Sequence, residues 1–193
     1  MTEQHPFPPF IHADSEVLIL GTFPPQPKRW AFDFYYPNPT NDFWRVMGLI
    51  FYADKMFFYD ATAKKFDLSR IKEFLIEHHI ALSDTGVEAI RLKDNASDKF
   101  LQIVKSIDIN AVLHRYPSLS YLVTTGEKAA GVLAELTHTD VPLIGEYVQF
   151  TFEGRTIRHY RMPSTSRAYP LAVEKKAAEY AKVFRSMSMS VQL

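Results

Sequence analysis

Four loops of the chain carry side chains whose types and spacing suit chemistry. The most distinctive is FYYPNPTNDFW, residues 34–44. Pro37 and Pro39 fix the backbone and hold Tyr36 and Asn38 at set offsets from Asn41. A preorganised aromatic beside a fixed amide is what a pocket needs to stack a planar ring and hydrogen-bond its edge. The same residues have structural uses: Tyr35 and Tyr36 as core anchors, Asn41 as a favoured helix cap. In MPSTSRAYP, residues 162–170, the hydroxyls of Ser164, Thr165 and Ser166 and the cation of Arg167 stand just ahead of a helix. Short hydroxyl side chains at a helix start suit a phosphate, with ordinary N-capping by Ser164 or Ser166 as the alternative. In TTGEKAA, residues 124–130, Thr125, Gly126 and Lys128 open a helix and can meet an anion; a plain surface lysine fits the pattern equally. In GTFPP, residues 21–25, Gly21 permits a sharp turn and close approach to the backbone, and Pro24 and Pro25 stiffen the loop.

Those loops must be positioned by regular elements. Residues 16–20, EVLIL, predict a buried strand ended by Gly21. Residues 42–51 predict a helix with Phe43, Met47 and Ile50 on one face, capped by Asn41 or Asp42. A second amphipathic helix is expected over 68–79 and a short strand over 80–84. The stretch 97–107 predicts a helix capped by Ser97, and INAVLHRYP a further helical turn closed by Pro117. YLVTT at 121–125 reads as a strand and 127–137 as a helix. Two strands flank Glu153-Gly154, and a closing helix over 171–187 carries Leu171, Val173, Ala177, Ala181 and Phe184 as its apolar stripe. Strands alternating with helices imply a mostly parallel sheet between helical layers. In such sheets ligands bind beyond the carboxyl ends of the strands, where these loops fall. No repeat, linker or low-complexity segment divides residues 1–193, so one domain is expected.

Composition narrows the chemistry. The chain has no cysteine, which excludes disulfides, thiolate zinc sites and cysteine-ligated iron–sulfur clusters. Its seven histidines show no ligand spacing, so neither metal nor cofactor is expected. The apolar runs are too short to cross a bilayer and no signal segment is evident, so a cytoplasmic protein without a membrane partner is expected. Net charge is zero, yet eight basic residues face two acidic ones between Arg155 and Arg185. That local excess fits either a small phosphate footprint or a solvated helix.

Taken together and in order, GTFPP, YPNPTNDFW, TTGEKAA and MPSTS resemble the uracil-DNA glycosylase superfamily, over nearly the whole chain from Glu16 to Phe184. The middle motif and MPSTS are most similar to the mismatch-specific and hypoxanthine-DNA glycosylase branches. The resemblance implies a three-layer α/β/α sandwich with a central, mostly parallel four-stranded sheet. It implies a monofunctional DNA glycosylase that hydrolyses the N-glycosidic bond of a flipped-out deaminated base (uracil or hypoxanthine) in base-excision repair. Its partner would be DNA containing a damaged or mismatched base, and it would act as a monomer without metal or cofactor. By the same resemblance Gly21, Thr22, Phe23 and Pro24 line the base pocket with Asn38 and Thr125, and Tyr36 stacks on the base. Ser164, with Pro163, Thr165 and Ser166, meets the DNA phosphate, Lys128 lies among the phosphate or base-edge contacts, and Arg167 lies near the tip that wedges into the duplex. Two positions depart from the family pattern. Phe23 stands where uracil-specific members carry the Asp or Asn that positions water, and the resemblance passes that role to Asn41. Met162 stands where those members carry His. These departures motivate an alternative of another class: a catalytically silent nucleic-acid-binding protein on the same fold. A small-molecule hydrolase or nucleotide-binding module is the third reading.

Overall fold

A computed structural model describes residues 2–93 and 98–193. In chain order its elements are β1 (Thr2–Gln4), β2 (Val17–Gly21), α1 (Phe43–Tyr52), β3 (Tyr59–Asp60), β4 (Lys65–Phe66), α2 (Leu68–Glu77), β5 (Ile80–Asp84) and β6 (Gly86–Arg91). Beyond them come β7 (Leu101–Ser106), α3 (Ile109–Arg115), β8 (Tyr121–Thr125), α4 (Glu127–Thr137), β9 (Tyr147–Phe152), β10 (Arg155–Met162) and α5 (Val173–Ser186).

The central sheet runs β5-β2-β8-β10-β9. Its first four strands are mutually parallel, and β9 adds a fifth, antiparallel strand at the edge. Every residue of β2 and of β5 is buried, as a parallel sheet covered on both faces requires. Alternate side chains of β2 feed two cores. Val17 and Ile19 pack with the apolar faces of α1, α2 and α5. Leu18 and Leu20 pack with Ile109 and Leu113 of α3 and Leu133 of α4. Helices on both faces of one sheet make the three layers.

Local signals account for the helix boundaries. Asp67 caps α2 by accepting from the Arg70 amide, and Asp108 caps α3 by accepting from the Ala111 amide. The start of α1 is held by Asn41, whose Oδ1 accepts from the Phe43 amide at 2.9 Å. In α5 the stripe residues Ala177, Ala181 and Phe184 are buried, and Tyr180 joins them.

The helix expected over 97–107 is corrected by the structure. Ser97 lies outside the described residues, Asp98–Phe100 form one 3-10 turn, and Leu101–Ser106 form strand β7. This strand pairs antiparallel with β6, which pairs in turn with β1. The β-branched pair Ile103-Val104 favours that partner over helix, and the pairing is non-local.

Gly86 presses this small sheet against the GTFPP loop. Its amide donates to the Thr22 carbonyl at 2.9 Å. A Cβ there would lie 2.9 Å from the same carbonyl oxygen and 2.7 Å from Ile103 Cδ1. Gly86→Ala should therefore lower stability by about 1–3 kcal/mol through overpacking against backbone, as read by urea denaturation.

Candidate active site

The carboxyl ends of the four parallel strands converge on one cavity. The last residue of each, Gly21, Asp84, Thr125 and Met162, lines it. Its volume is about 960 Å3, enough for a nucleotide-sized ligand.

Gly21 and Asp84 are register partners on β2 and β5. A Cβ on Gly21 would sit 2.4 Å from Asp84 Oδ1 and 3.4 Å from the Tyr36 hydroxyl. The missing side chain is thus the space that the carboxylate occupies. Asp84 Oδ2 accepts from His5 Nε2 at 2.8 Å, and both side chains are only 8% exposed. Among the described residues Oδ1 has no hydrogen-bond partner, so the floor of the cavity presents one fixed, acceptor-only oxygen.

Tyr36 stands beside it in the left-handed region, with φ of 54°. Its ring stacks on Phe43, centroids 3.7 Å apart and planes 10° apart. Its hydroxyl pairs with Thr125 Oγ1 at 3.0 Å. Burial, and then the negative charge of Asp84, push its phenol far up, so it stays neutral and able to donate. Tyr35, by contrast, is a core anchor, its hydroxyl bonded to the Pro8 carbonyl.

Thr22 Oγ1 donates to Asp98 Oδ2 at 2.8 Å. Asp98 is exposed as a residue, but its carboxyl turns inward, and desolvation pushes it up against the lowering effect of the Thr22 bond. Lys128 Nζ donates to the main-chain carbonyls of Asp98 and Leu101. It therefore fastens the 98–101 segment to α4 as well as lining the cavity.

A further wall is the hydroxyl loop. Pro163, Ser164, Thr165 and Ser166 all line the cavity, as do Pro24, Asn38 and Asn41 on the proline loop. Ser164 Oγ accepts from the Ser166 amide and Ser166 Oγ from the Ala168 amide. The segment is folded by its own side chains. Neither serine caps α5, whose first turn begins at Val173 with no side-chain cap. Gly126, at φ of 111°, carries the chain from β8 into α4 beside this loop, and a Cβ there would meet Ser164 Cβ at 3.4 Å. Asn38 Oδ1 accepts from the Thr40 amide and hydroxyl. Asn41 keeps both Nδ2 donors without partners among the described residues, while its Oδ1 holds α1.

The two loops are bolted together. Lys176 of α5 is fully buried. Its ammonium donates to Asp42 Oδ2 at 2.8 Å and to the Ser166 carbonyl at 2.9 Å. The Asp42 amide donates to the Thr165 carbonyl at 2.9 Å. The distance between Asn41 and the serines is set by this clamp.

Gly21, Thr22, Phe23, Pro24, Tyr36, Asn38 and Asn41, all singled out in the sequence, line the cavity. Thr125, Lys128 and Met162 do so from the neighbouring strand ends and helix. Arg167 is exposed and does not line it. Sequence reasoning missed Asp84, Asp98 and His5. Only Asp84 carried a signal: a carboxylate at the carboxyl end of a short buried strand.

No family model matches the chain. Across 48 residues it is 44% identical to a hypoxanthine DNA glycosylase of Methanosarcina barkeri (strain Fusaro / DSM 804). That match spans 25% of this chain and only 30% of the relative's length. A solution NMR structure from Methanosarcina acetivorans, described as a "putative Uracil DNA glycosylase", superposes with a TM-score of 0.66. It covers 97% of this chain and 99% of its own, at 20% identity. The chain has the uracil-DNA glycosylase fold. The motif resemblance and this glycosylase fold agree, and the mostly parallel sheet with flanking helices is the architecture they share. Among the described residues no helix is long and apolar enough to cross a membrane.

Two substitutions probe the glycosylase-fold cavity. Lys176→Met strands the Asp42 carboxylate and should cost about 3 kcal/mol of stability in urea denaturation. Gly21→Ala drives a methyl into the place of Asp84 Oδ1 and should lower stability by about 1–3 kcal/mol in the same assay, an effect that Gly131→Ala, facing open space, should not show.

Proposed function

We propose that the protein is a monofunctional DNA glycosylase that releases a deaminated base, hypoxanthine or uracil, from DNA. The observation that carries this reading is the polarity of the cavity: an acceptor-only oxygen on its floor, and serine hydroxyls on its wall.

Deamination converts the ring acceptor of adenine N1 or cytosine N3 into an N–H donor. Asp84 Oδ1 accepts such a donor and repels the lone pair of the parent base. His5 keeps the carboxylate aimed. Tyr36 closes one side of the floor, and the Ser164–Ser166 segment suits the phosphate flanking the extruded nucleotide. Extrusion costs a few kcal/mol, least for a mispaired base, and these contacts offset it.

In the reaction the C1′–N bond breaks with its electron pair going to the base. The sugar becomes an oxocarbenium cation and the base carries the electron pair. Asn41, its Nδ2 unpartnered, orients a water whose oxygen bonds C1′. The water's proton leaves to solvent, and the departing base takes up one proton. The ammonium of Lys128 is held by two carbonyls, which supports hydrolysis over a Schiff-base route.

The helix-holding role of Asn41 Oδ1 favours a second reading, a silent DNA-binding protein on the same fold. Single-turnover base release separates the two. Oligonucleotides bearing hypoxanthine, uracil, xanthine or a thymine mispair are tested beside adenine and cytosine parents. We expect release of hypoxanthine or uracil only, with Asn41→Ala slowing it by about 100-fold or more and DNA retention unchanged. Retention of DNA with no base released from any substrate would leave the silent binder.

A further inference from the structure

A floor that suits an N–H donor is a poor seat for an anion. A base that left C1′ with the bonding pair would become negative beside the Asp84 carboxylate, and like charges at that range repel. Release is easier if the base is protonated as it leaves, so the cavity needs an acid. Among the described residues no histidine lines it. The Tyr36 phenol is held far above its usual range by burial and then by Asp84, which makes it a weak acid.

The cavity holds a second carboxyl, in surroundings unlike the first. Asp84 accepts from a histidine, His5 Nε2, at 2.8 Å. Asp98 accepts only from a neutral hydroxyl, Thr22 Oγ1, at 2.8 Å. Burial pushes the Asp98 carboxyl up and the charge of Asp84 adds to it, against the lowering effects of the Thr22 bond, Lys128 and Arg91. Both cations are engaged elsewhere. Lys128 donates to the main-chain carbonyls of Asp98 and Leu101, and Arg91 to Glu3 and the Pro24 carbonyl. Two carboxyls whose surroundings differ in this way divide into a fixed acceptor and an acid. The Thr22 donation makes Oδ2 the accepting oxygen. The proton of the neutral acid therefore sits on Oδ1, which has no partner among the described residues.

Resting on the glycosylase reading, we infer that Asp98 is the general acid that gives the departing base its proton. As the C1′–N bond breaks and its pair moves to the base, the proton of Asp98 Oδ1 passes to the base. A neutral base and an Asp98 carboxylate remain. The water that bonds C1′ loses its proton to solvent. Asp98 is an exposed residue that also lines the cavity, so it regains a proton from solvent without a relay. Lys128 holds the main chain of the acid against α4.

The test measures single-turnover release of hypoxanthine and of uracil from duplex oligonucleotides, from acid to alkaline pH. The wild-type rate should fall as pH rises through the raised Asp98 value, because only the protonated acid works. Asp98→Asn keeps an acceptor for Thr22 and has no acidic proton. It should slow release by about 100-fold at acid pH and flatten the fall. Thr22→Val removes the bond that lowers Asp98, so the fall should move to higher pH. An Asp98→Asn protein that keeps the wild-type pH profile, slowed uniformly or not at all, would overturn the acid role, since uniform slowing is what a merely structural contact predicts. A fall unmoved in Thr22→Val would also count against it. If the wild-type protein released neither base at any pH, the proposed function would fall and the acid role with it; release indifferent to Asp98 would remove the acid role alone.

Discussion

The site depends on one buried ammonium. Lys176 lies in the interior of α5 and reaches across to a carboxylate at the start of α1 and a carbonyl in the hydroxyl loop. A charge so placed is stable only when its donors are met, so both loops are held wherever Lys176 is held. Asn41 precedes Asp42, and the serines surround the Ser166 carbonyl. Two segments far apart in the chain become adjoining walls of one cavity. The cost of burying the ammonium is repaid as geometry in addition to stability.

A second constraint acts at the floor. The absence of a side chain at Gly21 lets a carboxylate from the neighbouring strand turn into the cavity. His5, from the first residues of the chain, fixes it there. Phe23, two residues beyond Gly21, packs edge-on against His5 at 5.3 Å. An aromatic where a polar group is expected thus supports the histidine that aims a polar group from β5. The negative floor and hydroxyl wall divide the labour: one end suits N–H donors, the other an anionic backbone.

Much of this was legible before folding. Proline pairs, a lone glycine after an apolar run and a cluster of short hydroxyls keep their meaning at any distance from the core, and all four loops met at one sheet edge. The strand ends were legible for the same reason, since apolar runs announce parallel strands. What was hidden depended on tertiary register. Asp84 gains significance only when Gly21 is beside it, and His5 only when the amino-terminal segment crosses the site. Residues 101–106 misled because Phe100, Ile103, Val104 and Ile107 also satisfy a helical spacing, and the partner that makes this stretch a strand lies at 86–91. Arg167, which the resemblance sets near a tip that enters the duplex, lies exposed outside the cavity lining.

On the proposed reading this cavity hydrolyses a glycosidic bond at C1′ of an extruded nucleotide. That reading is tested most directly by incubating hypoxanthine-bearing DNA with the protein in 18O-water and weighing both products by mass spectrometry. Immediate borohydride reduction of the abasic sugar limits later exchange of its oxygen, and an abasic standard in the same water measures what exchange remains. The account predicts unlabelled free hypoxanthine and a sugar carrying one 18O at C1′ above that standard. Intact DNA after complete binding, or 18O in the base with the sugar unlabelled, would contradict it.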